Sequence, residues 1–220
     1  MCGRFTLTAE PGAVAGHFQA VLRFPVAGPR YNIAPGQDIA AVVSEAHGRQ
    51  LVPLRWGLVP HWVRAGTRAT GHPLINARAE TVSQKPAFRD AFWHRRCLVP
   101  ADGYYEWQKT AGGKIPYRIV CREAGLFTLA GIWNPGQAEG APCTCAILTT
   151  PASGKMQEIH DRMPLILTSG AEYARWLEDK GPPLDLLRTY PGECRAYWVS
   201  TAVNSSRFDS PELIAPLGRA

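Results

Sequence analysis

Lysine is scarce in this chain: Lys85, Lys109, Lys114, Lys155 and Lys180 are the only ones, and the other basic residues are arginines. Long apolar runs are missing too. None approaches the roughly 18 residues that a membrane-spanning helix needs, so no membrane partner is expected. There is no basic-then-apolar leader at the start, so the first residues are expected to stay with the mature protein in the cytoplasm (nucleoid-associated if the source is bacterial). Repeats, low-complexity tracts and charged linkers are absent, so the 220 residues are expected to form one domain over 1–220, with a proper core and no staples. Paired cysteine spacings are absent as well. The six cysteines (Cys2, Cys97, Cys121, Cys143, Cys145, Cys194) are scattered, which argues against a disulfide framework. Cys143-Thr144-Cys145 would place two thiols on one face of a strand, but no second Cys or His pair completes a zinc-like set. No metal and no cofactor is expected, and most of these cysteines read as small buried hydrophobes.

What is present in excess is positive charge. The formal net charge is +6, carried mostly by arginine, whose planar fork pairs with phosphate and stacks on flat rings. A G+C-rich coding sequence would give the same bias, so composition suggests nucleic acid as a partner without identifying it.

Apolar spacing at Val14, Phe18 and Val21/Leu22, after a Thr8 cap, predicts a helix over about 9–22. A second helix is expected from Ser83, with Phe88, Ala91 and Phe92 as its stripe. A third opens on the capping box Ser169–Glu172 and runs to about Leu177. Other apolar runs are short and β-like: 39–44, 51–56, 97–100, 103–107, 115–121, 126–133, 143–149 and 195–200. Helices interrupt a mainly β order without regular alternation. The fold class expected is therefore α+β, with mainly antiparallel strands in a curled or barrel-like sheet and flanking helices.

Several polar residues stand where core-building would not choose them. Loss of Met1 would make Cys2 an N-terminal aminothiol, whose amine condenses with an aldehyde and whose thiol then closes a five-membered thiazolidine. Near pH 7 roughly a tenth of an α-amine is neutral, against under about 0.1% of a lysine amine. Glu106, in the aromatic strand Gly103-Tyr104-Tyr105-Glu106-Trp107, would have its carboxyl pKa raised by burial, as a general acid/base requires; a strand-edge glutamate paired with an arginine is the other reading. His160, at the junction His160-Asp161-Arg162-Met163-Pro164, can project into a cleft or be satisfied by backbone or by Asp161. In Asn76-Ala77-Arg78-Ala79-Glu80, alternate polar side chains share a face if the segment is extended. Asn76 would orient a nucleophile, Arg78 hold phosphate and Glu80 brace Arg78; an ordinary strand–helix junction fits the same spacing. Trp56 is expected in the core, whereas Trp62 is a candidate stacking platform for an unpaired base.

Taken together, these segments resemble one family, the SRAP (SOS-response-associated peptidase) proteins. The resemblance rests on Cys2-Gly3-Arg4-Phe5, Tyr31-Asn32-Ile33-Ala34-Pro35, Trp56-Gly57-Leu58-Val59-Pro60 and Ile75–Thr81. It continues through Arg96-Cys97-Leu98-Val99-Pro100, Gly103–Trp107, Ala130-Gly131-Ile132-Trp133, His160–Pro164 and a tail with Val203-Asn204 and Pro211–Ile214, in order along the chain. It implies a protein that binds single-stranded DNA containing abasic sites, crosslinks to the ring-opened sugar through Cys2 as a thiazolidine and shields the lesion, with replication machinery as a further partner. A monomer is expected. The resemblance implies catalytic roles for Cys2, Asn76, Glu106 and His160, and DNA contacts from Arg4, Asn32, Arg78, Thr149 and Arg162, with Trp62 a weaker one. Schiff-base, lyase-like chemistry is implied; peptidase activity beyond the chain's own start is not expected. Arg64–His72 and Ser205-Ser206-Arg207-Phe208 depart from the family pattern. The alternatives are an N-terminal-nucleophile thiol peptidase, for which no oxyanion hole is recognisable, and a non-covalent single-strand binder in which Cys2 is incidental.

Overall fold

The computed structural model describes residues 2–23, 25, 27–63, 74–121 and 125–218. The first half of the chain carries β1 (Phe5–Leu7), α1 (Pro11–His17), β2 (Val21–Leu22), β3 (Arg30–Ile33), β4 (Asp38–Glu45), β5 (Gly48–Trp56), β6 (Asn76–Arg78) and α2 (Pro86–His94). The second half carries β7 (Arg96–Ala101), β8 (Gly103–Thr110), β9 (Gly113–Cys121), β10 (Phe127–Asn134) and β11 (Thr144–Pro151). It ends with β12 (Arg162–Pro164), β13 (Ile166–Leu167), α3 (Gly170–Glu178) and β14 (Cys194–Trp198). Strands therefore dominate a mixed α/β chain, as the run pattern predicts. Among the described residues no helix is long and apolar enough to cross a membrane.

Two sheets result. The smaller has the order β14-β9-β8-β1-β3, antiparallel throughout. The larger follows β12-β11-β10-β7-β4-β5-β2, with β13 on β10 and β6 on β11. It curls far enough for the end of β5 to pair in parallel with the start of β11, through Arg55↔Thr144 and Trp56↔Cys145. The sheets do not close into a barrel. One large apolar core lies between the layers, and a small second cluster gathers Tyr105, Val199, Val203 and Leu213.

Local chemistry sets the boundaries. The helix expected over 9–22 is only Pro11–His17, because proline starts it at the first turn and Gln19, at φ 52°, stops it in the left-handed region. Val21 and Leu22 then join β5 as a parallel edge, and Thr8 serves Asp102 rather than a helix. The second helix begins at Pro86, not Ser83, for the same reason of proline at the first turn, and it buries Ala91 and Phe92. The third has the predicted capping box, with Ser169 and Glu172 bonded reciprocally. Cys143 stands just outside β11, whereas Cys145 is buried within it.

Two glycines shape the strand that carries Glu106. Gly113, at φ 121°, closes the two-residue β8–β9 hairpin opposite Thr110. At Gly103 a Cβ would meet the Arg118 guanidinium at 2.7 Å, so only glycine lets that arginine lie flat against β8. Arg118 there donates to Asp102 Oδ1 at 3.0 Å and to Thr6 Oγ1 at 3.1 Å, a nearly buried ion pair that ties β1, β8 and β9 together.

Candidate active site

The chain start is laid along β8. Phe5 pairs with Tyr104, and the Tyr105 N–H donates to the Arg4 carbonyl at 2.9 Å, so the residues before β1 continue antiparallel past Glu106. Cys2 is thereby brought beside Glu106 and is fully buried. Its thiol lies 4.0 Å from the Arg4 carbonyl oxygen. Burial pushes this thiol well above the usual range, and the Glu106 carboxylate adds to the push.

Asn76 reaches the same point from the other sheet. Its strand, β6, runs parallel to β11 with Asn76 opposite Ile147 and Arg78 opposite Thr149. Asn76 Nδ2 donates to the Cys2 carbonyl at 2.8 Å, so its amide clamps the backbone of Cys2. Asn76 Oδ1 is buried and has no hydrogen-bond partner among the described residues. The indole of the buried Trp56 donates to the Ile75 carbonyl at 2.9 Å and so fixes the strand's entry. That is a structural role next to the site, as expected for a core tryptophan.

Glu106 is 3% exposed, on the strand face that also carries Tyr104 and Gln108. Burial pushes its carboxyl up to about 7, and the nearby Asp161 charge contributes in the same direction. A carboxyl with that value is divided between acid and base near neutral pH. Of the two sequence readings of Glu106, the desolvated carboxyl is the one the packing favours.

His160 follows the 3-10 turn Gly154–Glu158, whose last carbonyl accepts from Gln108 Nε2 at 3.0 Å and so fastens this segment to β8. His160 Nδ1 accepts the Arg162 N–H at 3.0 Å and also lies 2.7 Å from Asp161 Oδ1. The two contacts demand opposite things of Nδ1, a lone pair for one and a proton for the other. Burial lowers the imidazole's affinity for a second proton, so the neutral ring with its lone pair at Nδ1 is the form favoured, its proton on Nε2.

The residues expected to face DNA divide into two groups. Arg78 and Trp62 are exposed, Trp62 at 49%, with its ring edge-on to His61. Arg162 forms a bidentate pair with Glu80, Nη1 to Oε1 at 2.5 Å and Nη2 to Oε2 at 3.0 Å. Its Nη2 also donates to the Thr149 carbonyl at 2.6 Å and to Thr149 Oγ1 at 3.2 Å. Glu80 therefore braces Arg162, not Arg78 as the alternation suggests, because β6 ends at Arg78 and Glu80 stands in the turn beyond. Its carboxyl is held below the usual range, chiefly by its hydrogen bond to Arg162.

The second group is turned inward. Asn32 is 0% exposed, and its Nδ2 donates to the carbonyls of Val203, Ser205 and Phe208. Its Oδ1 accepts Arg4 Nη1 at 2.7 Å, so no part of this amide faces solvent. Asn32 thus positions Arg4 and pins the 203–208 segment, and it is not a surface contact. Arg4 Nη1 also donates to the Val203 carbonyl at 2.7 Å, and its guanidinium lies 5.9 Å from the centre of the Trp107 ring. Thr149 is buried as well. Sequence reasoning overlooked Trp107 as Arg4's platform, although it follows Glu106 directly and alternation puts it on the opposite strand face. The Arg64–His72 segment lies outside the described residues. Among those described, no group of three or more His, Cys, Asp or Glu side chains gathers as a metal site.

Comparison with known proteins matches this arrangement to one family. The chain is 42% identical over 226 residues to the abasic site processing protein YoqW of Bacillus subtilis (strain 168), an alignment covering 97% of this chain and 99% of that one. It is 33% identical to the abasic site processing protein HMCES of Gallus gallus, covering 86% of this chain and 66% of that longer protein. A crystal structure of a protein from Bacteroides thetaiotaomicron has the same fold, with a TM-score of 0.87 at 26% identity, over 98% of this chain and all of that one. The family model for SOS response associated peptidase (SRAP) matches residues 1–206, and the chain belongs to that family.

Proposed function

We propose that this protein processes abasic sites by trapping them: it binds single-stranded DNA and joins the aldehyde of the ring-opened deoxyribose to Cys2 as a thiazolidine. The names of its relatives support abasic-site processing as the general role. The observation that carries the chemistry is the convergence of the Asn76 clamp, the raised Glu106 carboxyl and the buried Cys2 thiol at one point.

Removal of Met1 frees the Cys2 amine. As the C1′–O4′ bond breaks, the Nε2–H of neutral His160 hydrogen-bonds to O4′, and the proton that the C1′ hydroxyl loses is the one that O4′ gains. The amine adds to the aldehyde carbon, and protonated Glu106 gives its proton to the departing hydroxyl, so that water leaves and an imine remains. The imine is left protonated at nitrogen; the Cys2 thiol then passes its proton to the Glu106 carboxylate, and sulfur bonds to the imine carbon while the C=N electron pair returns to nitrogen, which keeps the one hydrogen it retained from the amine. Aldehyde and aminothiol become thiazolidine and water. The order follows from the raised thiol: it stays protonated while the amine reacts first. The second bond is intramolecular, where effective molarities can reach about 10⁵ M or more. Arg78, Arg162 and Arg4 would neutralise phosphates, with Asn32 and Thr149 positioning two of them, and Trp62 would stack an unpaired base.

The test uses the full-length protein, with Met1 removal verified by intact mass, and an oligonucleotide carrying one abasic site. A denaturing gel should show a covalent adduct that is lost in Cys2→Ala. Equal adduct yield from that variant would overturn the mechanism.

A further inference from the structure

Cys121 and Cys194 have no part in the chemistry above, yet they are set opposite each other. Cys121 ends β9 and Cys194 begins β14, and the two are direct cross-strand partners in an antiparallel ladder. Such partners stand about 4.5–5.5 Å apart at Cα. A disulfide spans Cα separations of about 4.4–6.8 Å, so the backbone already suits a bridge. Both cysteines are free thiols. Because both stand at strand ends, closing the bond disturbs only the last rung of the ladder.

Access is asymmetric. Cys121 is 5% exposed, whereas Cys194 is half-buried and lines a groove of about 620 Å³ together with Tyr117, Lys155, Met156, Glu158 and Trp198. A small oxidant meets Cys194 first and finds a second thiol directly behind it. Of the two, Cys194 is the one open to solvent, which can stabilise its thiolate.

The remaining cysteines differ in ways that matter. Cys97 and Cys145 are fully buried, with thiols pushed up by burial, and they stand on β7 and β11 with β10 between them. Two strand spacings separate such positions by about 9.5 Å, too far for a bridge. Cys2 is likewise buried with a raised thiol.

We propose that Cys121 and Cys194 form a reversible dithiol–disulfide site, oxidised by small hydroperoxides that enter the groove at Cys194. The Cys194 thiolate attacks the peroxide's distal oxygen, forming a sulfenic acid and releasing water or an alcohol. The Cys121 thiol then attacks the sulfenic sulfur; an S–S bond forms and a second water leaves. Two thiols are oxidised by two electrons and one peroxide bond is reduced. A dithiol reductant reverses the change by thiol–disulfide exchange.

The experiment treats the reduced full-length protein with hydrogen peroxide, counts free thiols and maps peptides without reduction. The expected result is a loss of two thiols, a linked pair of peptides carrying Cys121 and Cys194, and full recovery of both thiols with dithiothreitol. In Cys121→Ser the reaction should stop at a sulfenic acid on Cys194, trapped by dimedone. Retention of all thiols in the wild type under excess peroxide, or linkage of a different cysteine pair, overturns the proposal. The wild-type map decides the matter even if a variant folds poorly, and it is independent of whether Cys2 captures DNA.

Discussion

The floor of the candidate site and its rim are built on opposite electrostatic plans. At the floor, Cys2, Asn76 and Glu106 are removed from water, and burial moves both titratable groups away from their charged forms. At the rim, the Arg162 guanidinium is paired with the Glu80 carboxylate, while Arg78 and Trp62 face solvent. Under the proposed function, low dielectric would serve where protons move, and a paired charge would stand where a strand must slide in and out. On that reading a phosphate arriving at Arg162 would have to displace Glu80, which would make binding there exchangeable and salt-sensitive.

Breaking the floor should have the largest effects. Beyond the loss of adduct with Cys2→Ala, Glu106→Gln should slow crosslinking by about 10²–10⁴-fold, the usual contribution of a positioned general acid/base. Single-turnover rates should also lose the inflection near pH 7 that the wild type shows. An unchanged pH–rate profile would remove Glu106 from proton transfer.

The same substitution should report on stability. Glu106's folded value of about 7 stands above the ordinary carboxyl value of 4.5, so its stabilising contribution is complete below about pH 4.5 and is lost as pH rises toward 7. Glu106→Gln escapes that loss. Its unfolding free energy should therefore gain on the wild type between pH 4.5 and 7, by an amount on the order of 2–3 kcal/mol, and then level off, as denaturant melts across that pH range would read. A constant difference across that range would contradict the desolvated carboxyl.

Changes at the rim should be smaller and of another kind. Arg162→Ala should weaken single-strand binding about tenfold at low salt and reduce the slope of log K against log salt by about 0.7, the share of one phosphate contact. A slope equal to the wild type's would mean that Glu80 keeps this arginine from DNA altogether. Trp62→Ala should cost about 1 kcal/mol, the low end for a base stacked on an aromatic ring, with little change in salt slope. Fluorescence anisotropy across a salt series reads both.

Legibility of the chain follows the same division. The eight apolar runs and the capping box at Ser169 were readable because each is decided by neighbours in sequence. The short strands β1, β3, β12 and β13 were not, since two to four residues acquire strand character only from partners elsewhere in the chain. Glu106 was readable as an anomaly, a carboxylate among aromatics. Asn32 was misplaced on the surface because nothing local signals that three carbonyls of the 203–208 segment fold back onto its amide. Glu80's partner was misassigned for a related reason: the choice between Arg78 and Arg162 depends on β12 lying beside β11.

One strand joins the floor to the rim. The clamp on Cys2 sits opposite Ile147 of β11, and the exposed Arg78 and the paired Arg162 are both keyed to Thr149 of the same strand. Two residues of extended chain separate these points by about 6.6 Å. Because β11 is held on both sides by other strands, that interval cannot breathe. Under the proposed function the site would work as a fixed gauge: a strand would be accepted according to whether its sugar and its neighbouring phosphate fall on these two marks together, whatever bases it carries.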